Sequence, residues 1–378
     1  MTTHLLQPER IVLPDAIAVG ALVEVVDGII RDIRFEKDPS ARQIPGTLLP
    51  GLIDLQVNGA GGRSVQEAST EALDHIAQCV GEHGASAFLP TLITEEWSAL
   101  LAQVRCVAEW IENYRGAGAT PLGIHVEGPF LINAGAHDPA WLIDPTSERI
   151  RELLDAGAGK IRLVTLAPGR AGAPAAVAAL CEAGVTVSLG HGTGQQGISE
   201  CVAAGATMAT HLFNAMGNSD HREPGMAHTL METQEVSCSL IPDGHHVHPI
   251  LVRQALKLIG VARCILITDS VSATGMPDGA YVLGQLPVTL QNGIVRNADG
   301  TLAGAALTMA EAANRFLSMV PDASAWCLGQ VASRNPAQCI AAKNWGVLEP
   351  GRRAEFALLR ENGSLTRIDL DSKHTDAN

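Results

Sequence analysis

The sequence predicts an α/β protein in which eight parallel strands and their helical crossovers close a (β/α)₈ TIM barrel. A small β-sandwich built from the N- and C-terminal segments is expected to accompany the barrel. From residue 51 onward, short apolar runs alternate with amphipathic stretches, and the eight runs match the strand number of this barrel. Before and after that region, the pattern changes to short strand-like runs separated by turn signals.

An open doubly wound sheet is the alternative architecture for the alternating region. It is disfavoured because polar residues close the third, fifth, sixth and eighth runs, and an open sheet would not bring four such ends around one point. The predicted barrel strands are GLIDLQVN (51–58), SAFLPTLI (86–93), PLGIHVEG (121–128), KIRLVTLA (160–167), TVSLGHG (186–192), TMATHLF (207–213), VSCSLIPD (236–243) and CILITDS (264–270).

The two ends of the chain share a β-like pattern. Residues 1–46 contain the runs RIVLPD, ALVEVVDG and IIRDIRFE, and the segment from residue 345 returns to strand texture. Because termini often lie close together, we expect 1–46 and 345–378 to form the sandwich and 47–344 to form the barrel domain. Between barrel and tail, 279–303 is also β-like, with Asn292–Gly293 as a hairpin signal.

Composition limits the class of partner. The formal net charge is −14 and no block of Lys or Arg stands out, so nucleic acid and membrane surfaces are not expected partners. A small anionic substrate stays open, because a local basic pocket can override the global charge. Eight scattered cysteines, no signal peptide and no run of 18 apolar residues predict a cytoplasmic protein with reduced thiols.

Four polar residues that close predicted strands form the candidate site. Glu127, His191 and His211 offer the carboxylate and imidazole groups of an open catalytic zinc site. Asp269, at the end of the eighth strand, is the candidate proton acceptor and donor. Taken singly, each has a plain structural explanation, such as a buried core histidine, a helix cap or a salt bridge. Their recurrence at the ends of barrel strands favours one metal-dependent active site.

A set of ordered motifs carries a family resemblance. From about residue 20 to about residue 372, the chain resembles the N-acetylglucosamine-6-phosphate deacetylases of the metal-dependent amidohydrolase superfamily. The resemblance implies a TIM barrel with a β-sandwich, a bound divalent metal, a homodimer, and hydrolysis of the acetamide group of an amino-sugar phosphate. The motifs are PGLIDLQVNGAGG, HVEGPF, GHGTG, THLFNAM, HREPG, PDGHHVH, ITDSVSATG and GTLAGAALTM.

The first barrel strand departs from the superfamily's two-metal pattern. Many amidohydrolases carry His-x-His there, whereas this chain has Gln56 and Asn58, a pair that resembles some deacetylases of the family. Neutral amides are weak zinc ligands, so we expect one divalent metal per chain, with zinc as the expected ion. Gln56 would then contact the attacking water. The alternative is that both amides only make hydrogen bonds at the strand end.

The resemblance also implies the residues that contact substrate. Arg222 matches the phosphate-binding arginine, although outside this context it would be an exposed surface residue, and it could serve either its own site or a neighbour's. His246 matches a substrate-binding histidine. The remaining implied contacts are Ala136 and His137 for the sugar and amide, Asn214 and Ala215 after the second histidine ligand, and the segment Leu302, Ala303 and Gly304.

Three departures from the family pattern leave alternatives open. The loop FLINAGAHDP is shorter than usual and lacks lysines, and GNSDH precedes Arg222, so the sugar epimer and the phosphate requirement are in question. The C-terminal DSKHTDAN lacks the expected final strand. The alternative functions are deacetylation of N-acetylgalactosamine 6-phosphate or another N-acyl amino sugar, and, outside enzymes, a catalytically inactive amidohydrolase-fold scaffold.

Overall fold

The computed structural model describes residues 1–370, so the departure predicted for DSKHTDAN lies outside the described residues. The chain begins with five strands that precede the barrel. Gly-containing turns separate the second strand from the third and the third from the fourth, and Asp27 and Gly28 in the latter turn both adopt positive φ. The strands are β1 (Thr3–Val12), β2 (Ile17–Val19), β3 (Leu22–Val26), β4 (Ile29–Arg34) and β5 (Arg42–Pro50).

The central sheet is built from eight parallel strands, each near a predicted position. Side chains of β6 and β9 are buried on both faces, which explains why these runs are apolar without alternation. The strands of this region, with the short pair β7 and β8 and the edge piece β10, are β6 (Leu52–Val57), β7 (Gly59–Ala60), β8 (Arg63–Ser64), β9 (Ala85–Ile93), β10 (Thr120–Pro121), β11 (Ile124–Glu127), β12 (Ile161–Leu166), β13 (Thr186–Leu189), β14 (Met208–Ala209), β15 (Ser237–Leu240) and β16 (Cys264–Leu266).

The sheet closes on itself. Its order is β6-β9-β11-β12-β13-β14-β15-β16, all parallel, and the first and last strands meet through a parallel bridge between Val57 and Ser270. This order and closure confirm the (β/α)₈ barrel, and the alternative of an open doubly wound sheet is wrong. The carboxyl ends of all eight strands therefore face one mouth.

Helices cover the outside of the barrel. The first begins where the Ser69 side chain accepts a hydrogen bond from the backbone of Ala72, and it buries Leu73 and Ile76 on one face. None of the helices among residues 1–370 is both long and apolar enough to cross a membrane. They are α1 (Thr70–Glu82), α2 (Trp97–Asn113), α3 (Ser147–Gly157), α4 (Ala173–Glu182), α5 (Ile198–Ala203), α6 (Gly225–Glu232) and α7 (Pro249–Ile259).

A three-stranded antiparallel sheet follows the barrel, formed by β17 (Gly279–Leu283), β18 (Leu286–Gln291) and β19 (Ile294–Asn297). Asn292 and Gly293 form the two-residue turn between β18 and β19, both with positive φ, which confirms the predicted hairpin. The chain then forms α8 (Met309–Met319), α9 (Ala325–Gly329) and α10 (Asn335–Cys339), with a π-helical segment (Gln330–Arg334) between the last two.

The chain end returns to the N-terminal strands. The last two strands are β20 (Phe356–Leu359) and β21 (Leu365–Ile368), and the sheet order is β21-β20-β5-β1-β3-β4, with β2 paired to β1. Leu6, Ile11, Ile30, Leu48 and Phe356 belong to a hydrophobic core separate from that of the barrel. The α/β fold class is thus confirmed. The predicted division at residues 46 and 345 stays a prediction, and β5 runs across residue 46.

Candidate active site

A cleft of about 350 Å³ opens at the carboxyl ends of the barrel strands. Its lining includes Glu127, His191, His211 and Asp269, so the structure brings together the four polar residues predicted from the strand ends. The volume lies within the usual range for small-molecule sites. A larger cleft, of about 750 Å³, lies between α1 and the terminal sheet and contains none of the four.

Three ligand atoms in this cleft converge as a metal site requires. Glu127 Oε1 lies 3.2 Å from His191 Nε2 and 2.9 Å from His211 Nε2, and the two nitrogens are 3.1 Å apart. Tetrahedral ligands about 2.0–2.1 Å from a zinc ion lie roughly 3.3 Å from one another. The spacing and the donor types of this buried cluster therefore fit a divalent metal.

Burial and neighbouring groups shift the pKa values of these side chains. Burial alone would raise the pKa of Glu127, but hydrogen bonds with His137, His191 and His211 outweigh it and hold that pKa well below its usual value. Burial lowers the pKa of His191 to about 4. His191 Nδ1 donates to the carbonyl oxygen of Asn133 at 2.8 Å, so the lone pair of the neutral ring lies on Nε2.

His137 lies closer to the metal-type cluster than its predicted role in substrate binding implied. Its Nε2 is 3.6 Å from Glu127 Oε2, and Glu127, His137 and His191 also form a group whose ligand atoms lie within 4.8 Å of one another. The set with His211 is tighter, with all three distances between 2.9 and 3.2 Å. The His137 ring is held from behind by Thr94 Oγ1, 2.7 Å from Nδ1.

The Asp269 carboxylate is held on one side. Gln56 Nε2 at 3.0 Å and Asn58 Nδ2 at 2.8 Å both donate to Asp269 Oδ1, and Gln56 Nε2 also donates to Glu127 Oε1 at 3.0 Å. Burial raises the pKa of Asp269 to about 6, with a further contribution from the charge of Glu127. Burial thus brings the pKa of this carboxyl group, whose Oδ1 accepts both amide hydrogen bonds, closer to neutrality.

Left-handed backbone conformations mark three of these residues. His191, His211 and Asp269 have φ values of 49°, 32° and 53°, which non-glycine residues rarely adopt. Each lies two or three residues beyond the end of its barrel strand, at the point where the chain turns. Strained backbone of this kind clusters at functional sites, and nothing in the sequence pattern predicted it.

Most residues implied to contact substrate surround the same cleft. Asn58 also lines it, whereas Gln56 lies behind it. Ala303 is fully buried and is not part of the lining, and Gly304 packs on the Asp269 backbone, where a Cβ would approach the Asp269 carbonyl oxygen to 2.9 Å. The implied contacts that line the cleft are Ala136, His137, Asn214, Ala215, His246, Leu302 and Gly304.

Arg222, like Ala303, is an implied contact that does not line the cleft. It lies on an exposed loop, where its backbone N–H donates to Asp220 Oδ1 at 2.6 Å. Among residues 1–370, no Lys or Arg lines the cleft. A phosphate group bound there would therefore need a cation from elsewhere.

The sequence analysis missed the groups that orient the predicted residues. Asp243 Oδ2 lies 2.6 Å from His246 Nδ1 and fixes that ring, while Arg315 donates to the Asp243 carbonyl oxygen at 2.7 Å. Asn133 and Thr94 do the same for His191 and His137. The Asp–His spacing in PDGHH is a signal that could have identified Asp243, whereas the other two contacts depend on loop conformation.

Comparisons with known proteins agree with this geometry. Residues 47–370 match the amidohydrolase family. The chain is 33% identical to an N-acetylglucosamine-6-phosphate deacetylase of Bacillus subtilis, covering 91% of this chain and 88% of the relative. It is 31% identical to an N-acetylgalactosamine-6-phosphate deacetylase of Escherichia coli O157:H7, covering 94% and 95%.

A solved structure extends the likeness to the whole architecture. It is a mutant N-acetyl-D-glucosamine-6-phosphate deacetylase from Mycobacterium smegmatis in complex with N-acetyl-D-glucosamine-6-phosphate. It superposes with a TM-score of 0.92 at 31% identity and covers 98% of both chains. The fold and site define a metal-dependent hydrolase that acts on amides, and this chain belongs to the amidohydrolase family.

Proposed function

We propose that this protein hydrolyses N-acetyl-D-glucosamine 6-phosphate to D-glucosamine 6-phosphate and acetate. The observation that carries the proposal is the convergence of Glu127, His191, His211 and Asp269 in one cleft. Similarity to deacetylases acting on amino-sugar phosphates, over at least nine-tenths of this chain, supports the choice of substrate. The intact set of polar groups argues against an inactive scaffold.

We propose one metal per chain, held by Glu127, His191 and His211, with zinc as the expected ion. When bound, a divalent metal lowers the pKa of water and stabilises the negative charge that develops on the amide carbonyl oxygen. Gln56 and Asn58 stand where a second metal would need ligands, but their amide nitrogens already donate to Asp269. Gln56 therefore orients the carboxylate groups around the attacking water.

Asp269 exchanges the protons of the reaction. With Oδ1 occupied by two amide donors, Oδ2 is free to take a proton from the attacking water. The same carboxyl group then donates that proton to the amide nitrogen, because the amine leaves poorly as an anion. Asp269 is only 9% exposed, so bulk water has little access to this exchange.

We propose that the substrate sugar lies between His137, Asn214 and His246, with the segment 302–304 over it. Arg222 is proposed to bind the phosphate, because its guanidinium group can make two parallel hydrogen bonds to it. Arg222 does not line the cleft of its own chain, and this supports a homodimer in which Arg222 serves the partner's site. The absence of disulfides among the eight cysteines, all within residues 1–370, supports a cytoplasmic location.

Acetate release tests the proposal. The purified protein is expected to release acetate from N-acetylglucosamine 6-phosphate and to carry about one metal ion per chain. The galactosamine epimer and unphosphorylated N-acetylglucosamine are the matched substrates, and both are expected to have lower kcat/KM. A higher kcat/KM for the epimer would reassign the sugar, and two tightly held metal ions per chain would contradict the one-metal site. No release from any N-acetyl sugar would exclude a deacetylase.

A further inference from the structure

The first and last strands of the barrel meet without a regular ladder. Among residues 1–370, β6 pairs with β9 and β16 pairs with β15, but the backbone contacts that join β6 to the last strand lie at Val57, the final residue of β6, and beyond it. These are the bridge between Val57 and Ser270 and a 2.8 Å hydrogen bond from the Asn58 backbone N–H to the Ser270 carbonyl oxygen. Deeper in the barrel, a buried side chain of β6 makes hydrogen bonds with the segment that follows β16. We call this junction between β6 and the end of β16 the seam.

That side chain is Asp54, which is 2% exposed and accepts three hydrogen bonds. Its Oδ1 accepts from the backbone N–H of Gln56 at 3.3 Å and from that of Thr268 at 3.2 Å. Its Oδ2 accepts from the hydroxyl group of Thr268 at 2.5 Å. A buried carboxyl group would be costly without such partners, so the seam is built around it.

All three donors belong to segments that carry the reacting groups. Thr268 directly precedes Asp269, and the side chain of Gln56 donates to Asp269 Oδ1. The Thr268 hydroxyl oxygen also accepts from the backbone N–H of Ser270 at 3.1 Å. This one hydroxyl group therefore bonds both to Asp54 and to the residue after Asp269, and it holds the backbone on both sides of Asp269.

The backbone of Asp269 must be held in place by its surroundings, because its φ of 53° is unfavourable for a non-glycine residue. Such a conformation persists only where the surroundings hold it. Proton transfer is sensitive to placement, and a displacement of about 1 Å can cost roughly 100-fold in rate. The seam contacts are thus in a position to set the rate without contacting substrate.

We propose that Asp54 is a positioning residue for the deacetylation: through Thr268 it fixes the turn that places the Asp269 carboxylate. This inference rests on the proposed function. Asp54 does not line the cleft, so it acts through Thr268 and Gln56 and not on the substrate. A purely structural role would instead lower stability and leave turnover per folded, metal-loaded chain unchanged.

Threonine 268 gives the cleanest test, because Thr268→Val removes the hydroxyl group and keeps the shape, while Thr268→Ser restores the hydroxyl group. Thr268→Val and Asp54→Asn are expected to lower kcat by about 10- to 100-fold with KM within about twofold of wild type. Metal content is expected to be unchanged, and Thr268→Ser is expected to recover most of the lost turnover. A crystal structure of Thr268→Val is expected to show the Asp269 carboxylate displaced.

Asn335→Ala is the matched control. Asn335 Nδ2 donates to the carbonyl oxygens of Val261 and Cys264, so it supports the opposite end of β16. This variant is expected to lower the melting temperature and keep kcat. The positioning role would be overturned if the wild-type protein deacetylates the 6-phosphate and the kcat of Thr268→Val is no lower than that of Asn335→Ala. Inactive wild-type protein would instead overturn the proposed function.

Discussion

The proposed chemistry depends most directly on the carboxyl group of Asp269. Asp269→Asn keeps the size of the side chain but removes the proton acceptor, so turnover is expected to fall by about 10²–10⁴-fold. Burial raises the pKa of this group to about 6, and the charge of a bound metal would lower it, so wild-type turnover is expected to fall at acidic pH as the acceptor becomes protonated at or below that value. Rates measured across pH with metal content determined in parallel check both statements.

The expected result for that variant has a specific signature. The metal should stay bound, because Asp269 is not among the three converging ligand atoms, and the acid limb of the pH profile should disappear. Near-native turnover in a metal-loaded variant would show that Asp269 has a structural role only. The proton acceptor would then have to be another group of the cleft.

The choice between two ligand sets can also be made at single residues. Glu127 and His191 belong to both sets, whereas His211 and His137 distinguish them. His211→Ala is expected to strip the metal, because its Nε2 completes the tighter triangle. His137→Ala is expected to retain about one metal ion per chain and to raise KM. Metal analysis after dialysis decides this, and the reverse pattern would make His137 the third ligand.

At the level of elements, the barrel strands were predictable because burial on both faces gives uninterrupted apolar runs. The run that contains His211 was predicted to extend over 207–213, but β14 has only Met208–Ala209. The difference arises because the chain turns with positive φ at His211, and apolar sequence alone does not reveal such a turn. The polar residues that follow the strands were identified, but the last residues of the strands and the backbone conformation there were not.

The loops of the site were less predictable than its strands. Arg222 was recognised by resemblance, yet it lies on an exposed loop and does not line the cleft, because tertiary packing sets the direction of a loop. His137 was expected at the substrate, but the path of its loop brings its Nε2 atom to 3.6 Å from Glu127 Oε2. Sequence spacing carries no information on either path.

The seam between β6 and β16 makes a prediction about stability. Burial raises the pKa of Asp54 to about 7, well above the 3.8 typical of an exposed aspartate. The folded protein therefore binds a proton more tightly here than the unfolded chain, so this group's stabilising contribution is fully present below pH 4 and is lost as the pH rises to about 7. In metal-free protein, Asp54→Asn is expected to weaken the fall in melting temperature over this range. An identical pH dependence in both proteins would contradict the raised pKa.

At the scale of the whole molecule, the negative net charge does not suit the anionic substrate that the relatives of this chain bind. The chain carries a net charge of −14, and no Lys or Arg among residues 1–370 lines the cleft, yet its relatives act on phosphorylated sugars. An anionic substrate needs a local cation to offset this field. We propose a two-fold dimer as the solution, in which the same exposed loop of each copy supplies Arg222 to the other copy's cleft.

Mixing two inactive variants tests this sharing. In a heterodimer of Arg222→Ala and Asp269→Asn, the site with intact Asp269 would receive Arg222 from its partner. Co-expression is therefore expected to recover about a quarter of wild-type activity, because half of randomly formed dimers are mixed and each has one complete site. The assay uses substrate well below the KM of Arg222→Ala, with each variant alone as the control. Verified heterodimers without recovered activity would mean that Arg222 acts in its own chain or does not bind the phosphate.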